Sequence, residues 1–109
     1  MKTIAIYGDS ISTGTHGEGG YENTLKNSLS LDKVYNFAVG SSGLTRKTPG
    51  GMLEVLDKNP VPEDAELFLI WHGSNDWYWG SELEAFSEAI EAAVNRLRAA
   101  VPTACLVWV

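Results

Sequence analysis

Residues 67–71 read Leu-Phe-Leu-Ile-Trp, apolar at every position. Successive side chains of a strand point to opposite faces of the sheet, so a strand with one wet face alternates apolar and polar residues. A run with no polar side predicts a strand covered on both faces, the habit of parallel sheets sandwiched between their crossover helices. Three further short runs, at 4–7, 33–38 and 103–109, are rich in β-branched or aromatic residues, and the full third strand is expected over 66–72. Helical patterns separate them, so the chain reads as repeated βα units closing into a three-layer α/β/α sandwich around a parallel sheet.

The clearest helix is expected over 82–100. Leu83, Phe86, Ile90, Ala93, Leu97 and Val101 recur at three- and four-residue intervals as one apolar stripe. Ser81 with Glu84 has the spacing of a capping box. Acidic residues lead and Arg96 and Arg98 follow, the order that the helix dipole favours. Shorter helices are expected over 21–29 and 51–58, with Pro60 and Pro62 marking the loop before the third strand. No repeat, low-complexity tract or linker divides the chain, so residues 1–109 form a single domain.

A chain of 109 residues buries roughly two thirds of its unfolded surface, enough for one core. With 44% hydrophobic and 20% charged residues, disorder is not expected. No apolar stretch reaches the roughly 18 residues of a spanning helix. The net charge is −6, from 8 basic and 14 acidic residues. It argues against a nucleic-acid or anionic-membrane partner, whose binding rests on clustered Lys and Arg. Cys105 lies in an apolar run and is expected to be a buried small hydrophobe. Met1 is followed directly by the first strand, with no leader, so the expected compartment is the cytoplasm.

Nine of the eleven glycines fall just after predicted strands: Gly8, Gly14, Gly17, Gly19 and Gly20, then Gly40 and Gly43, then Gly73 and Gly80. In an open parallel sheet those loops share one edge, where ligands bind. Gly8-Asp9-Ser10 leaves the first strand. Ser10 there is either a nucleophile presented on a tight turn or simply the cap of the next helix. Gly73-Ser74-Asn75-Asp76 leaves the third strand, and the Asn75 amide is a neutral donor suited to a developing oxyanion. The second strand is followed by a glycine turn whose backbone N–H groups face the same rim. Donors from three loops thus converge near Ser10, as acyl transfer requires.

Gly8-Asp9-Ser10, the glycine in Ser41-Ser42-Gly43-Leu44-Thr45, and Gly73-Ser74-Asn75-Asp76 resemble, in order, the first three sequence blocks of the SGNH hydrolases, also called GDSL esterases and lipases. The resemblance covers the whole chain. It implies a flavodoxin-like α/β/α fold and a catalytic Ser10. It also implies an oxyanion hole made from the Ser10 amide, the Gly43 amide and the Asn75 side chain, with Gly40 as a substitute for Gly43. The activity implied is hydrolysis of a small-molecule ester or thioester through an acyl-enzyme, without metal or cofactor.

The sequence departs from the family pattern at the fourth block, Asp-x-x-His, which carries the base: no such tetrapeptide occurs in the 109 residues. His16, close to Ser10 in a glycine-rich loop, and His72, at the end of the third strand, are expected to be structural or incidental, since a base must reach the serine and be oriented by a third group. The expected domain is therefore an N-terminal part, incomplete at its C-terminus. Its missing portion is lost or supplied by another chain, and alone it is nearly inactive. Residues 104–109 are expected to form an interior strand. A noncatalytic module for acylated or sugar ligands is the alternative. A nucleotide-binding domain is weaker, because the loop at 14–20 lacks the Lys-Ser/Thr of a phosphate loop. Trp77 and Trp79, in the aromatic run after Asp76, form either a substrate-binding wall for a sugar or acyl group or part of the core.

Overall fold

The computed structural model describes residues 2–13, 20–44, 51–78 and 80–109. Gly14, His16, Gly17, Gly19, Thr45 and Trp79 lie outside them. The elements are β1 (Thr3–Gly8), α1 (Ser10–Thr13), α2 (Glu22–Ser28), β2 (Lys33–Asn36), α3 (Met52–Lys58), β3 (Leu67–Trp71), α4 (Ser74–Tyr78), α5 (Leu83–Ala100) and β4 (Cys105–Trp108). All pairings are parallel and the strand order is β2-β1-β3-β4. After β2 the chain crosses back over β1 to lay down β3. The order therefore reverses between β1 and β3, and this switch point opens a crevice at the carboxyl ends of those two strands.

Register decides which side chains meet. Ala5 pairs with Phe68 and Tyr7 with Ile70, and all four project into the larger core with Met52, Leu53, Val55 and Leu56 of α3 and Ala89, Ala93 and Leu97 of α5. The opposite face carries Ile4, Ile6 and Leu31, with Tyr21, Leu25, Leu67 and Leu69 packed against them. The sandwich has the expected three layers, but they are unequal. Phe68 and Ile70 are fully buried while Leu67, Leu69 and Trp71 are half-buried. Among the described residues α2 is the helix on that side, and none of its residues is buried. Tyr21 stacks on Trp71 with ring centroids 5.4 Å apart and completes the cover.

Four local expectations are corrected. The second strand stops at Asn36, because the Asn36 Oδ1 turns back to accept from the Ala38 N–H at 3.0 Å. Helix α5 begins at Leu83, its N-cap is Glu82, and no side chain caps it. Ser81 stands one residue too early for the capping box, its own N–H donating to the Asp76 carbonyl at 2.9 Å. Leu83, expected in the apolar stripe, is 82% exposed. Among the described residues β4 pairs with β3 alone, so Cys105 is exposed instead of buried and Val107, Trp108 and Val109 are exposed with it. No helix among the described residues is long and apolar enough to cross a membrane.

Candidate active site

Three loops leave the carboxyl edge of the sheet, and hydrogen bonds tie each to the others. The β2 loop is fastened to β1: the Val39 N–H donates to the Gly8 carbonyl at 3.0 Å, and the Ser42 hydroxyl lies 2.6 Å from the Val39 carbonyl and 3.3 Å from that of Gly8. The β3 loop is fastened to β1 where the Ser74 hydroxyl donates to Asp9 Oδ2 at 3.3 Å. Its links to the β2 loop are tighter. Asn75 Nδ2 donates to the Ser42 carbonyl at 2.8 Å, and the Leu44 N–H donates to Asp76 Oδ2 at 2.8 Å and Oδ1 at 3.1 Å. The triangle of loops is closed around the switch point.

Ser10 occupies the first position of α1 and is half-buried. The turn that presents it is built by its neighbours. Asp9 Oδ1 accepts from the Ile11 N–H at 3.1 Å, and the Asp9 carbonyl accepts from Ser12 and Thr13. Asp9 therefore caps α1, so the alternative reading of Ser10 as the cap does not hold. A side chain at residue 8 would place its Cβ 2.5 Å from Ser12 Oγ, which makes glycine necessary for so tight an exit from the strand.

Gly43 and Gly40 now separate. A Cβ at Gly43 would lie 2.5 Å from Asp76 Oδ2 and 2.8 Å from the carboxyl carbon, whereas at Gly40 nothing lies within 4 Å. Close approach demands glycine at 43 and not at 40. The chain reaches Gly43 through Ser41, held at φ 61° in the left-handed region that non-glycine residues seldom occupy. Gly43 is buried, and its carbonyl accepts from the Met52 N–H at 2.9 Å as α3 begins. A primary amide has two N–H donors. One from Asn75 anchors the Ser42 carbonyl, and the second is the kind of donor that an oxyanion needs.

Asp9, Ser42 and Asp76 were quoted in the motifs but given no role from sequence. Asp9 and Asp76 are 1% and 2% exposed, and both accept backbone N–H groups in charge-assisted bonds. They shape the loops from which Ser10, Gly43 and Asn75 project. A buried carboxylate between two glycine turns leaves no mark of its own in periodicity, so nothing but its place in the motif could have signalled it. Among the described residues no group of three or more His, Cys, Asp and Glu side chains is placed to hold a metal ion.

His72 is not on the rim. The ladder pairs Gly8 with Trp71, so Asp9 and His72 leave the sheet side by side, and His72 is buried. Its Nδ1 has no hydrogen-bond partner among the described residues. Burial pushes the imidazole below its ordinary value of 6.5, with Asp9 and Asp76 offsetting part of the effect. A depressed value keeps the ring neutral in the fold. The sign follows from linkage: the unfolded chain takes up the proton first, so the contribution is complete above pH about 6.5 and is lost as pH falls below it. Stability is expected to drop between pH 7 and 5, with a His72 share of at most about 1.4 kcal/mol per pH unit. Urea midpoints across that range should show it, and His72→Gln should flatten the slope.

A model of the GDSL-like lipase/acylhydrolase family matches residues 6–109, nearly the entire sequence. The chain belongs to this family. Solved structures of similar fold include a protein from Lactobacillus plantarum, with a TM-score of 0.83 and 20% identity over 98% of this chain. TesA follows with 0.75 and 22% over 98%. The psychrotrophic esterase EstA from a Pseudoalteromonas species has 0.67 and 19% over 99%. At such identities the likeness shows the fold alone. The GDSL-like chain spans 54% of the first of these structures, 59% of the second and 58% of the third. No curated protein matches the sequence.

Proposed function

We propose that this GDSL-like domain is the nucleophile and oxyanion-hole part of a serine ester hydrolase. Ser10 Oγ attacks the acyl carbon of an ester while a general base takes its proton. The Ser10 and Gly43 amides and Asn75 Nδ2 receive the negative charge that develops on the carbonyl oxygen. Collapse of the tetrahedral adduct expels the alcohol, and water then releases the acid from Ser10. What supports this reading is the tied rim: Asn75 Nδ2 lies on the Ser42 carbonyl at 2.8 Å and Asp76 holds the Leu44 N–H. These bonds fix both outlying donors relative to the β1 exit before any substrate arrives.

The base lies elsewhere. His72 is 6% exposed, and the 109 residues contain no Asp-x-x-His. These residues alone therefore turn over esters slowly, by about a millionfold relative to a triad with its base. A noncatalytic binding module is the competing reading, favoured by the same missing base. A fluorophosphonate probe separates the two. In the protein expressed from its complete reading frame, peptide mapping should find the adduct on Ser10, because phosphonylation needs an activated serine beside an oxyanion hole. No adduct on Ser10, or labelling that persists in Ser10→Ala, would sink the hydrolase assignment.

A further inference from the structure

Helix α1 is a single turn of four residues, and a helix that short has no stability of its own. It nevertheless carries Ser10 and the Ser10 amide, the proposed nucleophile and one oxyanion donor. Asp9 caps its start, and Ser12 anchors its other end. Ser12 is 2% exposed and is held at three atoms. Its N–H donates to the Asp9 carbonyl at 3.0 Å, its hydroxyl lies 2.6 Å from the Tyr21 hydroxyl, and its carbonyl accepts from Asn36 Nδ2 at 2.9 Å. The last two partners come from other elements, Tyr21 from the N-cap of α2 and Asn36 from the end of β2.

Each partner is itself held. The Tyr21 ring stacks on Trp71 of β3 with centroids 5.4 Å apart, whereas Trp77 is 83% exposed and the core reading of that residue fails. Burial raises the Tyr21 phenol above its ordinary value of 10.0, so near neutral pH it is a protonated hydrogen-bonding group and not a base. Asn36 Oδ1 accepts from the Ala38 N–H at 3.0 Å, and Nδ2 also donates to Glu22 Oε1 at 2.8 Å. Both N–H donors of the amide and its oxygen are thus engaged. Turned over, the amide would set its oxygen against the Ser12 carbonyl and the Glu22 carboxylate, so its direction is fixed.

We infer that Tyr21 and Asn36 are positioning residues for Ser10: together they clamp Ser12 and so set where α1 aims the serine hydroxyl and amide. The inference rests on the hydrolase reading for what Ser10 does and on these bonds for how it is held. With Ser12 released, the turn keeps its bonds to Asp9 and can pivot about them. A misplacement of about 1 Å in a reacting group costs about a hundredfold in rate, although the sheet and its core are untouched.

The test uses the protein expressed from its complete reading frame. Tyr21→Phe removes one hydroxyl and keeps the ring on Trp71. Asn36→Asp keeps the acceptor for Ala38 and turns an oxygen, in place of a donor, towards the Ser12 carbonyl. Each should lower kcat for an aryl ester by about tenfold to a hundredfold, with KM within about twofold, the split expected when transition-state geometry is lost and binding is not. Glu22→Ala removes the other partner of the same amide without touching Ser12, and kcat should stay within about twofold of the parent. If Asn36→Asp and Glu22→Ala lower the urea midpoint alike and neither changes kcat, Asn36 is merely structural and the inference is overturned. Ser12→Ala and Tyr21→Phe remove opposite sides of one bond, so the double variant should lose no more than the larger single loss. Losses that multiply overturn the pairing.

Amide hydrogen exchange reads the clamp without any ester. The Ser12 and Thr13 N–H groups, both on the Asp9 carbonyl, should exchange at least about tenfold faster, relative to those of β1, in Tyr21→Phe and Asn36→Asp. Unchanged exchange overturns the clamp whatever the rates of hydrolysis. Faster exchange in a protein without Ser10-dependent turnover keeps the clamp and removes the hydrolase reading. Faster exchange with Ser10-dependent kcat unaltered overturns the inference and leaves the hydrolase reading standing.

Discussion

Ser10→Ala, in the protein expressed from its complete reading frame, is expected to lower kcat for a simple aryl ester by about a millionfold while leaving the fold intact. The two halves of that statement have separate grounds. Nucleophile and base act as a unit, so loss of the hydroxyl leaves only what the oxyanion hole and binding contribute. The fold is spared because Asp9, not Ser10, caps α1 through its Oδ1 to the Ile11 N–H, and Ser10 is only half-buried. Thermal or urea midpoints should therefore stay within about 0.5 kcal/mol of the parent, as for an ordinary surface change. A residual activity near that of the parent, with the midpoint unchanged, would show that the nucleophile lies elsewhere. Asn75→Ala serves as the graded comparison. Loss of one oxyanion donor costs about a hundred- to a thousandfold in kcat, far less than loss of the nucleophile.

Gly43→Ala is expected to damage stability and activity together, and Gly40→Ala neither. The methyl group at 43 would fall 2.5 Å from Asp76 Oδ2, whereas at 40 it meets nothing within 4 Å. Asp76 is 2% exposed and has little room to give way. If its carboxylate moves, the Leu44 N–H loses both acceptor oxygens, and a buried donor without a partner costs about 1–3 kcal/mol. If the backbone moves instead, Gly43 leaves the position set by its bond to Met52, and overpacking costs a similar amount. A loss of about 2–4 kcal/mol in urea unfolding is expected, with kcat reduced at least a hundredfold in the folded fraction. Equal effects at 40 and 43 would overturn the assignment of the second amide donor to Gly43.

Much of the fold was legible because periodicity reports which faces of an element are apolar. Residues 67–71 announced a covered parallel strand, and the stripe of Ala93, Leu97 and Val101 announced the face that α5 packs on the sheet. What periodicity cannot report is the neighbour that covers a face. Leu67, Leu69 and Trp71 are as apolar as Phe68 and Ile70, yet among the described residues only α2 and Tyr21 lie over them. Cys105 and Val107 read as interior, yet both are exposed where, among the described residues, β4 pairs with β3 alone. Leu83 obeys the helical spacing and is still exposed, beside Trp77 and Phe86.

The candidate site divides in the same way. Sequence by itself determined the residue types and their order: a serine after one strand, glycines after the next, an asparagine after the third, with spacing that resembles one family. It also determined that no Asp-x-x-His lies within these 109 residues. Only the tertiary structure showed that a side chain is excluded at 43 and not at 40, took the cap of α1 from Ser10 and gave it to Asp9, and put His72 in the interior with a lowered pKa. Each of these turns on the distance between atoms far apart in the chain, such as a carboxylate at 76 against a glycine at 43. Local chemistry specifies an element, but a close contact exists only once the strand order has brought two loops to the same edge.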